Sequence, residues 1–114
     1  MMASDKDVIA AYEAEVDAHL DMIDQAAKTY KASKDDATKK KVAGEAAWLV
    51  ESLQEMLIAA QYSLQVAEHP LASGKRTFPK LAWDPKAARV VPQKKLAIVA
   101  PALELAQEVL AKLN

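Results

Sequence analysis

The sequence predicts a single all-α domain, built as an antiparallel bundle of three long helices. Of its 114 residues, 52% are hydrophobic and only two are glycine, which favours closely packed helices. Apolar residues recur at intervals of three and four over three long stretches, as on one face of a helix. Four of the five prolines fall within residues 70–95. That segment is therefore expected to be a long basic connection between the second and third helices, with one possible short helix in it.

The first helix is expected from Asp5 to Lys31. Ser4 and Asp7 have the spacing of a capping box, in which each side chain accepts from the backbone N–H of the other residue. The apolar stripe that should face the core is Ile9, Tyr12, Val16, Leu20, Ile23, Ala27 and Tyr30. A different face should form an acidic ridge in solvent, with Glu13, Asp17, Asp21 and Asp24.

The second helix is expected to begin at an N-cap on Ser33 or Asp35 and to end near His69, because Pro70 follows. Gly44 is expected to mark a kink or a close contact. The core set is Val42, Ala46, Leu49, Leu53, Met56, Ala60 and Ala67, flanked by Val50, Leu57 and Leu64.

The second helix also carries more apolar side chains than one core stripe requires. Trp48, Ile58, Tyr62 and Val66 extend its hydrophobic surface around much of the cylinder. Because an exposed apolar surface of this kind marks contact sites, these four residues predict an interface, most simply between two copies in a homodimer.

The third helix is expected to be preceded by a short helix over Pro85 to Val90, with Asp84 as N-cap. Pro92 would then open the last helix as its first residue. The predicted seam of that helix is Leu96, Val99, Leu103, Ala106, Leu110 and Leu113. Pro101 falls on the opposite side from the seam, where it is expected to bend the helix without breaking it.

Charge is segregated along the chain, although the net charge is only −1. Residues 1–31 carry seven acids and three lysines, residues 45–69 carry four acids and no base, and residues 70–95 carry seven bases and one acid. Opposite charges within one small domain readily satisfy each other. The basic segment is therefore expected to lie across acidic helix surfaces, either of its own fold or of a second copy.

The basic segment is the candidate partner-binding loop. Prolines lower the cost of ordering it, and two aromatic side chains are available as anchors. The candidate residues are Arg76, Phe78, Lys80, Trp83, Lys86 and Arg89. The alternative is a nucleic-acid-binding module that uses residues 75–95, in which the cations contact phosphates and the aromatic rings stack on bases.

Catalytic and metal-binding patterns are not found in the sequence. It has no cysteine, its histidines His19 and His69 do not belong to Glu-x-x-His pairs, and no serine lies in a strained turn with glycines on both sides. We therefore expect no catalytic residues, no metal and no cofactor. A second alternative remains, a small-molecule-binding or enzymatic bundle with a pocket near Trp48, Tyr62 and His19.

The function predicted from these observations is a non-catalytic protein–protein interaction module of the adaptor, immunity or accessory type, which also associates with itself. Its expected partner is another protein or a second copy. No membrane segment is expected, because five polar residues interrupt the most apolar window, Ala46 to Ala67. Met1 to Asp7 lacks an apolar signal core, and the absence of cysteine fits a reducing compartment, so a cytoplasmic location is expected.

Overall fold

A computed structural model describes residues 4–68 and 85–113, with the side chains of residues 85–87 excepted. In these ranges the chain forms three α-helices: α1 (Asp5–Ala32), α2 (Asp36–Glu68) and α3 (Pro85–Leu113). Each helix packs against both of the others. The predicted all-α bundle of three long helices is confirmed. None of the described helices combines the length and the apolar character needed to cross a membrane.

The helices alternate in direction. Ala26 near the end of α1, Val42 near the start of α2 and Leu113 at the end of α3 belong to one cluster of buried residues. Val16, Leu53 and Val99, near the middle of their helices, belong to another. α1 and α3 therefore run parallel to each other and antiparallel to α2, as a short α1–α2 connection requires.

The start of α1 is the predicted capping box. The backbone N–H of Asp7 donates to Ser4 Oγ over 3.2 Å, and the backbone N–H of Ser4 donates to Asp7 Oδ2 over 3.4 Å. Two of the N–H groups that a helix start leaves without a partner are thereby satisfied.

The start of α2 is capped by Asp35, one of the two predicted candidates. The Thr38 hydroxyl donates to Asp35 Oδ2 over 2.8 Å, and the Ala37 N–H donates to Asp35 Oδ1 over 3.2 Å. These two hydrogen bonds hold the pKa of Asp35 below its usual value, and the bond from the Thr38 hydroxyl has the larger effect. The folded-state pKa is depressed, so the cap stabilises the helix at neutral pH and is lost as the pH falls through that lowered pKa.

The core runs the length of the bundle. Its largest completely buried side chains are Ile23, Leu53, Val16 and Val99. Ala46 and Ala106 are also completely buried, and side chains this small let the helix backbones approach closely. The predicted stripe of α1 lies on the inner side, with Val16, Ile23 and Ala27 buried, whereas the predicted acidic ridge is exposed.

The predicted break before Pro92 is wrong. α3 is one helix from Pro85 to Leu113, with Pro92 and Pro101 both inside it. Pro85 does occupy the helix start, as expected. Each internal proline removes one helical hydrogen bond, but packing of the seam residues Val99, Leu103 and Ala106 into the core favours a continuous helix. Pro92 is buried, and Pro101 is exposed, on the outer side as predicted.

The close contact expected at Gly44 is also wrong for the described part of the chain, because a Cβ built there meets none of its atoms within 4 Å. Gly44 lies inside α2, where glycine costs roughly 1 kcal/mol relative to alanine. We therefore expect Gly44→Ala to raise the free energy of unfolding by about 0.5–1 kcal/mol, measured by urea denaturation. An unchanged or lower value would show that the glycine is needed for the path of the backbone.

Candidate protein-interaction surface

One side of α2 is turned away from α1 and α3 and is exposed along its length. We call it the outer face of α2. Because an α-helix has 3.6 residues per turn, residues spaced by three and four lie in one stripe. The exposed residues of this stripe are Gly44, Trp48, Glu51, Glu55, Ile58, Tyr62 and Val66.

The outer face of α2 is unusually apolar for a surface. Trp48 is 69% exposed, Tyr62 67%, Ile58 56% and Val66 42%. These are four of the seven large hydrophobic side chains exposed among the described residues, and the other three are divided between α1 and α3. Isolated exposed hydrophobic residues are common, but an aligned set with two aromatic rings is typical of contact surfaces.

The same face is acidic. Glu51 and Glu55 lie in the stripe between Trp48 and Ile58, and both are exposed. α2 has three lysines near its start, at positions 39–41, and from residue 42 to its end it carries four glutamates and no lysine or arginine. The carboxylates of Glu51 and Glu55 therefore favour a positively charged group at the centre of the outer face of α2.

A groove between α2 and α3 continues the apolar end of this face. Ile58 and Tyr62 belong to both, so a ligand on the outer face can place a side chain beside Leu96 of α3. The groove has a volume of about 460 Å³ and is lined by Ile58, Gln61, Tyr62, Leu64, Gln65, Glu68 and Leu96.

His19 joins α1 to α2 through a hydrogen bond that the sequence did not indicate. Its Nδ1 lies 2.7 Å from the Glu15 carbonyl oxygen, and its Nε2 lies 2.9 Å from Ser52 Oγ. A carbonyl can only accept, so Nδ1 donates, and in the neutral ring Nε2 accepts from the Ser52 hydroxyl. His19 therefore bonds to the backbone of Glu15, one turn earlier in α1.

A serine bonded to a histidine has the composition of a nucleophile and its base, but the surroundings differ from those of a hydrolase. Ser52 lies in the middle of α2, where backbone N–H groups bond within the helix and do not provide an oxyanion hole. The pair is better explained as a structural bond between two helices.

We expect His19→Ala to lower the free energy of unfolding by about 0.5–1.5 kcal/mol, the usual range for one hydrogen bond. The measurement is a double-mutant cycle by urea denaturation with Ser52→Ala. A coupling energy near zero would show that the hydrogen bond does not join the helices in solution.

A second groove gathers polar groups from all three helices. It has a volume of about 350 Å³ and includes Tyr12 and Glu15 of α1, Ser63 of α2 and Lys95 of α3. Lys95 Nζ lies 5.1 Å from the centre of the Tyr12 ring, within range of a cation–π interaction. Burial, and then the charge of Glu15, raises the pKa of Tyr12. The phenol is therefore protonated at neutral pH and is not a general base.

The pocket expected near Trp48, Tyr62 and His19 does not gather these three side chains around one cavity. Trp48 and Tyr62 lie on the outer face of α2, whereas His19 bonds to Ser52 between α1 and α2. Leu49 and Leu53, the neighbours of Ser52 on α2, are buried in the core.

Of the residues predicted for the partner-binding loop, Arg76, Phe78, Lys80 and Trp83 lie outside the described residues. Lys86 is in the first turn of α3, and Arg89 is half-buried in the second. The helix-two set, by contrast, is brought together on one exposed face: Trp48, Ile58, Tyr62 and Val66.

Residues 4–68 and 85–113 do not contain a group of three or more histidine, aspartate or glutamate side chains placed to hold a metal ion. Comparison of the chain with protein-family models, with curated proteins and with solved structures found no match.

Proposed function

We propose that this protein is a non-catalytic interaction module, and that the outer face of α2 binds a basic helix of another polypeptide through its apolar side. The observation that supports this proposal is the stripe itself. It combines four exposed apolar side chains with two carboxylates on a helix whose inner side already supplies the core.

The apolar residues would supply most of the affinity. Tryptophan and tyrosine are enriched among the few interface residues whose truncation to alanine costs about 2 kcal/mol or more. Trp48 and Tyr62 are fourteen positions apart, so they are separated by about 21 Å along the helix axis. A bound helix of roughly five to six turns contacts both, and its side chains reach the α2–α3 groove beside Ile58.

The charge of the face favours a basic partner over direct pairing of two outer faces. If two copies of α2 paired antiparallel with Trp48 beside Tyr62, Glu55 of one copy would meet Glu55 of the other. Like charges placed opposite each other are destabilising. A basic helix meets the same carboxylates with favourable charge.

Self-association, which the sequence predicts, is the second candidate function. In this case the outer face of α2 contacts the basic residues of a second copy instead of that copy's own outer face. Residues 70–95 carry seven bases and one acid, so this segment of a second copy has the charge that the outer face of α2 favours. A solution mass from light scattering, measured at low and high salt, distinguishes the two candidates. A dimer that dissociates with salt supports self-association, and a monomer at both salt concentrations supports a separate partner.

We further propose that the protein acts in the cytoplasm. The proposal is supported by the absence of cysteine, which fits a reducing compartment.

A designed peptide tests the main proposal. The probe is an amphipathic helix whose apolar side carries leucines at both ends and two lysines at its centre, labelled for fluorescence anisotropy. We expect it to bind the protein, and the double variant Trp48→Ala/Tyr62→Ala to bind at least about 30-fold more weakly, since two interface anchors are removed.

The matched control is Leu105→Ala, which removes a side chain that is 53% exposed on α3. It should bind the peptide as the wild type does. A peptide of equal charge in which serines replace the leucines should bind much more weakly. Equal binding by the double variant and the wild type would exclude the outer face of α2 as the site.

A further inference from the structure

We infer that the outer face of α2 selects partners with an apolar–basic–apolar order of residues, and that Glu51 and Glu55 are the specificity-determining residues. The inference rests on the proposed function, because it concerns the partner of that same site. It derives from the order of apolar and acidic side chains along the stripe. That order concerns which partner sequence is preferred, which is a separate question from the overall affinity for a basic helix.

The stripe has two apolar ends and an acidic centre. Trp48 forms one end, and Ile58, Tyr62 and Val66 form the other. Between them the carboxylates of Glu51 and Glu55 lie one turn apart on the same side of the helix. Trp48 and Ile58 are ten positions apart, about 15 Å along the axis, so about three turns of a bound helix lie between the apolar contacts.

The spacing of the stripe is that of a helix-pairing seam. From Gly44 to Tyr62 the intervals are four, three, four, three and four, the alternation that keeps one side of a helix against a partner helix. A partner packed along this seam covers Glu51 and Glu55 together with the apolar residues. The two carboxylates therefore lose water when the complex forms.

Loss of water makes the two carboxylates selective. A leucine placed against them leaves two charges without a partner, which is costly in a covered interface. A lysine or arginine at the same place pairs with the charge and makes a hydrogen bond to it. A polar residue at a core position of a helix pair is a known way of fixing register and partner.

The test uses two labelled peptides of identical composition and net charge. In the first, the seam has leucines at its ends and two lysines at its centre. In the second, the same two lysines are moved to the ends of the seam and the leucines to its centre. Dissociation constants are measured by fluorescence anisotropy for the wild type and for Glu51→Gln/Glu55→Gln.

We expect the wild type to prefer the first peptide by at least about tenfold. Glu51→Gln/Glu55→Gln should bind the two peptides within about a factor of two of each other. Glu13→Gln/Asp17→Gln, which removes two exposed carboxylates of α1, is the matched control and should keep the preference.

The outcomes separate the inference from the function on which it rests. Equal binding of both peptides to the wild type, with the Trp48→Ala/Tyr62→Ala variant still weakened, would overturn the selected order and leave the docking surface in place. A preference that survives Glu51→Gln/Glu55→Gln would overturn the role of the carboxylates. Binding of neither peptide would overturn the proposed function, and the inference with it.

Discussion

Replacing Leu53 with alanine is expected to lower the free energy of unfolding by about 2–5 kcal/mol. Leu53 is completely buried at the centre of α2, in the same cluster as Val16 of α1 and Val99 of α3. The substitution removes apolar contacts with both other helices and leaves a cavity that three packed helices cannot fully close. Urea denaturation followed by circular dichroism measures the change.

Leu105→Ala is the control for this experiment, because it makes the same chemical change at a side chain that is 53% exposed. Its effect should be within about 0.5 kcal/mol of zero. If Leu53→Ala and Leu105→Ala reduced stability equally, the helices would not be packed through Leu53, and the assignment of the inner and outer sides of the bundle would be wrong.

Replacing Pro101 with alanine is expected to raise the free energy of unfolding by about 2 kcal/mol, less than the full helix penalty of proline because the unfolded chain gains freedom. Pro101 is exposed inside α3, so the change restores a backbone N–H that can donate to the Ala97 carbonyl while removing little packing. Thermal and urea denaturation give the difference.

Pro92→Ala is the matched substitution. Pro92 is also inside α3 but is buried, so the restored hydrogen bond is offset by lost packing of the ring. We expect a smaller gain than at Pro101, or none. A loss of stability in Pro101→Ala would show that the core requires a bend at this position.

The three-helix architecture could be predicted because the spacing of apolar residues indicates which side of each helix faces the core. The stripe of Val16 and Ile23 in α1, and that of Leu49 and Leu53 in α2, recur at three and four, which only a helix aligns. The starts were predictable for the same local reason, since Ser4 and Asp35 accept from N–H groups two or three residues away.

The continuity of α3 through Pro92 could not be predicted from the sequence. From the local sequence alone, Pro92 is expected to begin a helix, because its ring disfavours the helical conformation of the residue before it. In the structure that local cost is outweighed by packing of the seam around Val99 against α1 and α2. Packing of this kind depends on residues far away in the sequence, and no local pattern reports it.

The candidate site was predictable in part. The excess of apolar residues on α2 indicated Trp48, Ile58, Tyr62 and Val66, but only the structure shows that Glu51 and Glu55 divide the same exposed stripe. Ser52 as the partner of His19 could not be predicted, because the two residues are 33 positions apart and a serine within a helix carries no signal of its partner.

The proposed docking surface is tested most directly by nuclear magnetic resonance, with the labelled protein titrated by the leucine–lysine peptide that has its lysines at the centre of the seam. We expect the largest amide shifts at Trp48, Glu51, Ile58 and Tyr62, and unchanged signals around Leu105. Shifts confined to the acidic residues of α1, with those four signals unmoved, would contradict the assignment of the outer face of α2 as the docking surface.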